Sequence, residues 1–239
     1  MSKKNFNLIK AILHFNIRIP FILYKLNHLS DEEFYPYYLK IANELLRVLK
    51  VNIKIEGLEN LRDINKNYFV VSNHRGMIDP VIISKIFTDK RPLSYIMKSS
   101  LSNVPIIKDV GKRTNSRYLE RNVKDDLKTI LEIIELQKSG NNYLIFSEGT
   151  RNKTDANTLE FKAASFKIPQ KAKSDIVYIG LFGTEKIFEE KCGKGFINVY
   201  LKIFKVFKYE DFKSLKTVEI AEKIRNDIDN YIEILKKDI

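Results

Sequence analysis

Tyr68-Phe69-Val70-Val71, followed by Ser72-Asn73-His74-Arg75-Gly76-Met77-Ile78-Asp79-Pro80, is the stretch on which the fold turns. Four consecutive apolar residues, aromatic or β-branched, bounded by polar ones, read as a short strand of the fully buried kind. Pro80 suits the opening of a helix, and the apolar pattern continues through Ser84 to Phe87. A polar turn therefore lies between a buried strand and a helix. In open α/β sheets ligands bind at the carboxyl ends of strands, which is where such a turn sits.

The same alternation continues outward. Val51, Ile53 and Ile55 alternate with polar residues as in a strand, and Leu93 to Met97 is another candidate. Asn122 can cap a helix carrying Val123, Leu127, Ile130, Leu131 and Ile134, with Asp125 and Asp126 in its first turns and Gly140 as its stop. Tyr143 to Phe146, Ile176 to Ile179 and a segment near Ile197 to Phe204 read as strands. A final helix has Val218, Ile220, Ile224, Ile228, Tyr231 and Ile232 on its apolar side. Strands alternating with helices predict an α/β fold with a mostly parallel central sheet flanked by helices.

Residues 6–26 are different. Asn7, Lys10, His14 and Arg18 form a narrow polar stripe at helical spacing, and nearly everything else is apolar. Such a helix is either packed on the core or lies in a membrane interface, and Pro20 is expected to break it. Pro36-Tyr37-Tyr38 opens a second pattern, with Tyr38, Ile41, Ala42, Leu45, Val48 and Leu49 on one face. The chain thus divides into an N-terminal amphipathic helical, membrane-associating extension over 1–50 and an α/β domain over 51–239.

Composition narrows the field. A chain of 239 residues with 44% hydrophobic residues is long and apolar enough for a sizeable core, which excludes disorder throughout. The net charge of +12 favours an anionic partner, whether nucleic acid, an anionic membrane or a phosphorylated substrate, although a merely lysine-rich surface gives the same number. Cys192 stands alone, so it forms no intramolecular disulfide and no cysteine zinc cluster, as suits a reducing cytoplasm. Lys10 and Arg18 interrupt the N-terminal apolar stretch, and neither a signal peptide nor a spanning helix of about 18 apolar residues is expected.

Two clusters carry chemistry. His74 can accept a proton near neutral pH, and a carboxylate at Asp79 can hold its other ring nitrogen. With no serine or cysteine nucleophile beside it, the pair suits activation of a substrate's own hydroxyl. The plain alternatives are a satisfied structural histidine and an aspartate that only caps a helix. Phe146-Ser147-Glu148-Gly149-Thr150-Arg151 also follows a strand. Gly149 permits a tight turn, Arg151 offers a planar fork for phosphate, Thr150 a hydroxyl, and Glu148 can orient Arg151 or accept from a substrate hydroxyl. A surface turn with a local salt bridge is the competing view. Tyr118-Leu119-Glu120-Arg121, apolar residues leading to a basic one at a helix start, carries no weight alone.

Taken together these residues resemble the glycerolipid acyltransferase family that includes the bacterial 1-acyl-glycerol-3-phosphate acyltransferases. Asn73, His74 and Asp79 match its first motif in full. Phe146, Glu148, Gly149, Thr150 and Arg151 match the third, and Tyr118 to Arg121 look like the second, preceded by Lys98, Leu101 and Pro105. The likeness covers about residues 50–185. Ser147 stands where the family has proline, Gly76 where serine is common, and Tyr178 at the probable proline of the fourth motif. These departures bear on acceptor preference. The resemblance implies acyl transfer from acyl-carrier protein or coenzyme A thioesters to the free hydroxyl of lysophosphatidic acid, with no covalent acyl-enzyme and neither cofactor nor metal. It gives His74 the role of general base and Asp79 that of its orienter. Arg121, Glu148, Gly149, Thr150 and Arg151 would hold phosphate, with Asn73 and Lys98 in support. The apolar arc of residues 6–26 and the basic excess together lead to the expectation of a peripheral, monotopic protein on the cytoplasmic face of the cell membrane, touching an anionic phospholipid surface and no nucleic acid. A related enzyme for glycerol 3-phosphate or a lysophospholipid, and a non-catalytic basic binding module, are the other readings.

Overall fold

The computed structural model of the chain describes residues 6–62, 64, 67–87, 92–120, 123–188 and 195–238. Three helices come first: α1 (Phe6–Asn16), α2 (Ile19–His28) and α3 (Asp31–Val48). There follow β1 (Val51–Glu56), β2 (Tyr68–Ser72), α4 (Asp79–Ser84), β3 (Ser94–Lys98), α5 (Pro105–Arg113), β4 (Arg117–Leu119), α6 (Val123–Lys138) and β5 (Tyr143–Phe146). The chain closes with α7 (Lys167–Ala172), β6 (Asp175–Phe182), β7 (Ile197–Ile203), α8 (Tyr209–Phe212) and α9 (Thr217–Asp238).

The strands form one seven-stranded sheet in the order β1-β7-β6-β2-β5-β3-β4. Every pairing is parallel except β6 with β7. From β2 the chain fills one side of the sheet with β3, β4 and β5, then crosses to the other side with β6. The direction of winding therefore reverses at β2, and a crevice opens there at the carboxyl ends of the strands.

Alternation along the central strands splits the core into two layers. Tyr68, Val70, Val177, Ile179 and Leu201 face α3 and α4, whereas Phe69, Val71, Ile176 and Tyr178 face α6, α7 and α9. Burying both faces is why β2 reads as an unbroken apolar run.

Several expectations need correction. The first helical stretch breaks at residues 17–18, and Pro20 sits in the first turn of α2, where its missing N–H costs nothing. α3 starts five residues before Pro36, at a reciprocal capping box between Ser30 and Glu33, so Pro36 lies inside it. Tyr118 and Leu119 belong to β4, pairing with Met97 and Lys98, and not to a helix start. Leu127 and Leu131 lie on the exposed side of α6, whereas Ile134 is buried and Ile130 packs on the core as expected, joined by Ile133, which the sequence reading omitted. Gly140, with φ +101°, does end that helix. Asn122, Arg121 and Cys192, and the side chains of Val123 and Asp125, lie outside the described residues.

The N-terminal helices bury one apolar face, with Ala11, Ile22 and Leu26, and leave a second outside. His14 and Arg18 turn inward and both bond Glu44 of α3, His14 at 2.7 Å. Leu13, Ile17, Phe21 and Tyr24 face outward, at 63%, 86%, 58% and 62% exposure. No helix among the described residues is long and apolar enough to cross a membrane.

Candidate active site

β2 and β5 are neighbours, with Ser72 opposite Phe146, so two residues further on His74 and Glu148 meet across the strand ends. His74 is held on four sides. Its Nδ1 lies 2.8 Å from Asp79 Oδ2. Its ring stacks on Phe146 at 4.1 Å and 17°. Its backbone N–H donates to Glu148 Oε1 at 2.7 Å, and its carbonyl accepts from the Asn152 N–H at 2.7 Å. A carboxylate at Nδ1 fixes the proton there and leaves the lone pair on Nε2, which has no partner among the described residues. The side chain is 19% exposed, enough to be reached.

Asp79 is fully buried at the start of α4. Besides His74, its Oδ2 accepts from the N–H groups of Arg75 and Gly76 at 2.8 and 2.9 Å. It closes the turn before α4 and holds the histidine at once, but it does not cap the helix, whose N-cap is Ile78 with no side-chain cap, so the helix-cap alternative falls. A β-carbon at Gly76 would come within 2.8 Å of the Thr184 carbonyl oxygen, which accounts for glycine where relatives of this motif favour serine.

Glu148 does not pair with Arg151. Its second oxygen accepts from the Leu159 N–H at 2.9 Å, so both oxygens serve backbone groups. It is buried, and burial pushes its carboxyl above the usual range despite these hydrogen bonds and the charges of His74 and Arg75. Gly149 has φ +70°, with the Lys162 side chain lying over it. Arg151 has no hydrogen bond or ion pair to any described residue, and it lines a cavity of about 420 Å³ with Arg75, Met77, Lys153 and Glu185. Arg75 is already committed. Its Nη1 donates to the carbonyls of Ala156 and Asn157 at 2.9 and 3.1 Å, and its Nε donates to Glu185 at 3.2 Å. Arg151 and Lys153 are thus the cations facing open space.

The loop after Arg151 is tied down from both ends. Asn152, buried, donates from Nδ2 to Ala156 O at 2.8 Å and accepts at Oδ1 from Thr154. Thr158 donates to Asp229 of α9 at 2.7 Å, and Lys236 reaches the Asp155 carbonyl at 3.2 Å. Asn73 pairs its amide with both backbone groups of Leu181, at 2.9 and 2.8 Å, sewing β2 to β6. Lys98 is exposed at the end of β3, and Thr150 is exposed beside Arg151. Neither lines the cavity. Arg75, Asn152 and Lys153 escaped the sequence reading. The basic Lys153, two residues past Arg151, was the visible hint. Ser147 Oγ is buried with no partner among the described residues, a setting that suits the family's proline equally. Tyr178 packs on Phe204 and donates to Asp227 at 2.8 Å, so its departure is absorbed on the α9 side of the sheet.

The family model for acyltransferases matches residues 52–181, more than half the chain. The chain belongs to the acyltransferase family. Among its relatives is the chloroplastic 1-acyl-sn-glycerol-3-phosphate acyltransferase LPAT1 of Arabidopsis thaliana, 33% identical over 139 residues, or 56% of this chain and 37% of that protein. The chain thus aligns with little more than a third of that relative's length. The 1-acyl-sn-glycerol-3-phosphate acyltransferase of Borreliella burgdorferi is 24% identical over 189 residues, covering 78% of this acyltransferase and 74% of the relative. The crystal structure of the 1-acyl-sn-glycerophosphate acyltransferase PlsC from Thermotoga maritima superposes with a TM-score of 0.75 over 96% of both chains at 23% identity. That likeness establishes the fold: an α/β acyltransferase with a mostly parallel sheet.

Proposed function

We propose that the chain moves a fatty acyl group from an acyl-carrier protein or coenzyme A thioester to the free hydroxyl of 1-acyl-glycerol-3-phosphate, giving phosphatidic acid. The observation that carries this is the held imidazole: Nδ1 on Asp79, Nε2 unpartnered, and a cavity with two uncommitted cations opening beside it.

In this reading the acceptor hydroxyl gives its proton to His74 Nε2 as its oxygen bonds the thioester carbonyl carbon. Asp79 stabilises the imidazolium. When the C–S bond breaks, the imidazolium proton passes to the departing sulfur, and the histidine is restored. No acyl-enzyme intervenes, and neither cofactor nor metal takes part. Arg151 and Lys153 grip the acceptor phosphate, and the family resemblance adds Arg121, which lies outside the described residues. Glu148 and Gly149 shape the turn that presents Arg151. The outward apolar arc of α1 and α2 rests in the cytoplasmic leaflet of the cell membrane, monotopically, beside a substrate and product that live there.

The test is one assay matrix. Radiolabelled lysophosphatidic acid, glycerol 3-phosphate and lysophosphatidylcholine are each offered with acyl-carrier-protein and coenzyme A donors. The expected result is transfer to lysophosphatidic acid well above the other acceptors. Preferred transfer to another acceptor, or none, overturns the reading.

A further inference from the structure

Arg75 follows His74 directly, and its side chain joins the turn after β2 to the segments after β5 and β6. That side chain is 8% exposed. Its Nε donates to Glu185 at 3.2 Å, in the short turn Thr184–Phe188 that follows β6. Its Nη1 donates to the carbonyls of Ala156 and Asn157 at 2.9 and 3.1 Å, in the loop after β5. Its backbone N–H donates to Asp79 at 2.8 Å. One residue therefore touches both the carboxylate that holds His74 and the loop that carries Arg151 and Lys153.

That loop is pinned to the turn of the imidazole at both limbs. On the way in, the Asn152 N–H donates to the His74 carbonyl at 2.7 Å. On the way out, Arg75 takes the carbonyls of Ala156 and Asn157. Lys153 stands on the bend between the two, with Arg151 just before it. The fastenings to Asp229 and Lys236 lead to α9 and do not reference the bend to His74. Glu148 reaches Leu159, past the end of the loop. Of the side chains from Asn73 to Asp79, only that of Arg75 bonds the loop among the described residues. Burying a guanidinium is costly, and an apolar residue commonly serves a fold as well. What an apolar residue lacks is a planar fork with donors at fixed angles, which sets the relative places of the groups it joins.

Spacing matters to this chemistry. The phosphate and the attacking hydroxyl belong to one small acceptor, a few bonds apart. With the phosphate held by the loop, the distance from the loop to Nε2 decides which hydroxyl meets the base, and a misplacement of about 1 Å can cost about a hundredfold. We propose that Arg75 is a positioning residue that sets this spacing, and so selects the hydroxyl nearer the phosphate over one a carbon further away. The inference rests on the reading that the cavity takes the acceptor phosphate.

The test measures transfer to 1-alkyl- and 2-alkyl-glycerol 3-phosphate, each with a short ether-linked chain that cannot migrate. The wild type should favour the 1-alkyl acceptor, whose free hydroxyl lies nearer the phosphate, by more than about tenfold. Arg75→Gln should narrow that ratio below about threefold, chiefly through a lower kcat on the 1-alkyl acceptor. Arg75→Lys keeps the charge without the fork and should narrow it too, so it decides the matter if the glutamine variant fails to fold. Glu185→Gln leaves both carbonyl bonds in place and should narrow it less. Arg113 is the control, 17% exposed, with Nη1 donating to the carbonyls of Leu26 and Leu29 at 3.1 and 2.9 Å. Arg113→Gln should lower the melting temperature and keep the ratio. A ratio unchanged in both Arg75 variants, or narrowed equally by Arg113→Gln, overturns the role of Arg75, as does a wild type indifferent to the two acceptors. Arg151→Ala tells that failure from a failure of the phosphate reading. If it raises the Michaelis constants of both acceptors, the cavity keeps its phosphate and the Arg75 variants alone decide. If it changes neither, the phosphate reading falls and this inference with it.

Discussion

His74 is braced through its ring, its ring face and both backbone groups, so its replacement should cost chemistry and not folding. His74→Ala is expected to lower turnover by about a hundredfold to ten-thousandfold at a near-normal melting temperature. A folded variant with near-normal turnover removes the general base. Glu148 and Arg151 separate by kinetics. Glu148→Gln places an amide nitrogen against a backbone N–H, so turnover should fall while the acceptor's Michaelis constant stays put. Arg151→Lys loses the bidentate fork, so that constant should rise. The opposite pattern would exchange the two roles. Glu148 also has a pH signature. Its carboxyl is raised by burial, so its uncharged form is favoured in the fold. Its contribution to stability is present below the ordinary carboxylate value and is lost as pH rises through the raised one. The melting temperature of the wild type relative to Glu148→Gln should drop across that window, and a flat difference contradicts it. His74 and Asp79 were legible in the sequence because the residue types and spacing carry the chemistry. The role of Glu148 was not, because its partners are backbone N–H groups, which have no residue signature.

At the scale of elements, the capping box at Ser30 and Glu33 was written in the sequence but overshadowed by Pro36. β4, three residues long, is too short for periodicity to reveal, and it exists because β3 offers an edge. In α6 the period was right and the face half wrong, since an apolar stripe does not say which flank the sheet covers. The α1–α2 arc left two readings open, and the structure shows a face for each: Ala11, Ile22 and Leu26 are buried against the domain, while Leu13, Ile17, Phe21 and Tyr24 stay outward. Leu13→Asp with Phe21→Asp should abolish sedimentation with vesicles of phosphatidylcholine and phosphatidylglycerol while soluble-substrate turnover persists. Unchanged sedimentation would return the arc to some other partner. Docking of α1 on α3 should be acid-sensitive. Hydrogen bonds from Arg18 and His14 hold the Glu44 carboxyl down at about 2. The stability this supplies is present above the ordinary carboxylate range and lost as pH falls towards 2. Amide exchange in α1 should quicken over that interval, and in Glu44→Gln it should be quick throughout.

For the molecule as a whole, the fold class was legible because strand and helix patterns alternate and β2 carries its two-sided burial openly. The strand order was not, since a helical crossover sets direction and hand but not which strand becomes the neighbour. That order is what brings Ser72 opposite Phe146 and makes one site of two motifs separated by more than seventy residues. The same connectivity bears on how the protein comes into being. The loop behind Arg151 is fastened to Asp229 and Lys236, in the last turns of α9. A ribosome delivers the histidine early and its fastening last, so the nascent chain should stay inert until synthesis is nearly over. Chains halted before residue 226 should be made, bind membranes through α1 and α2, and transfer nothing.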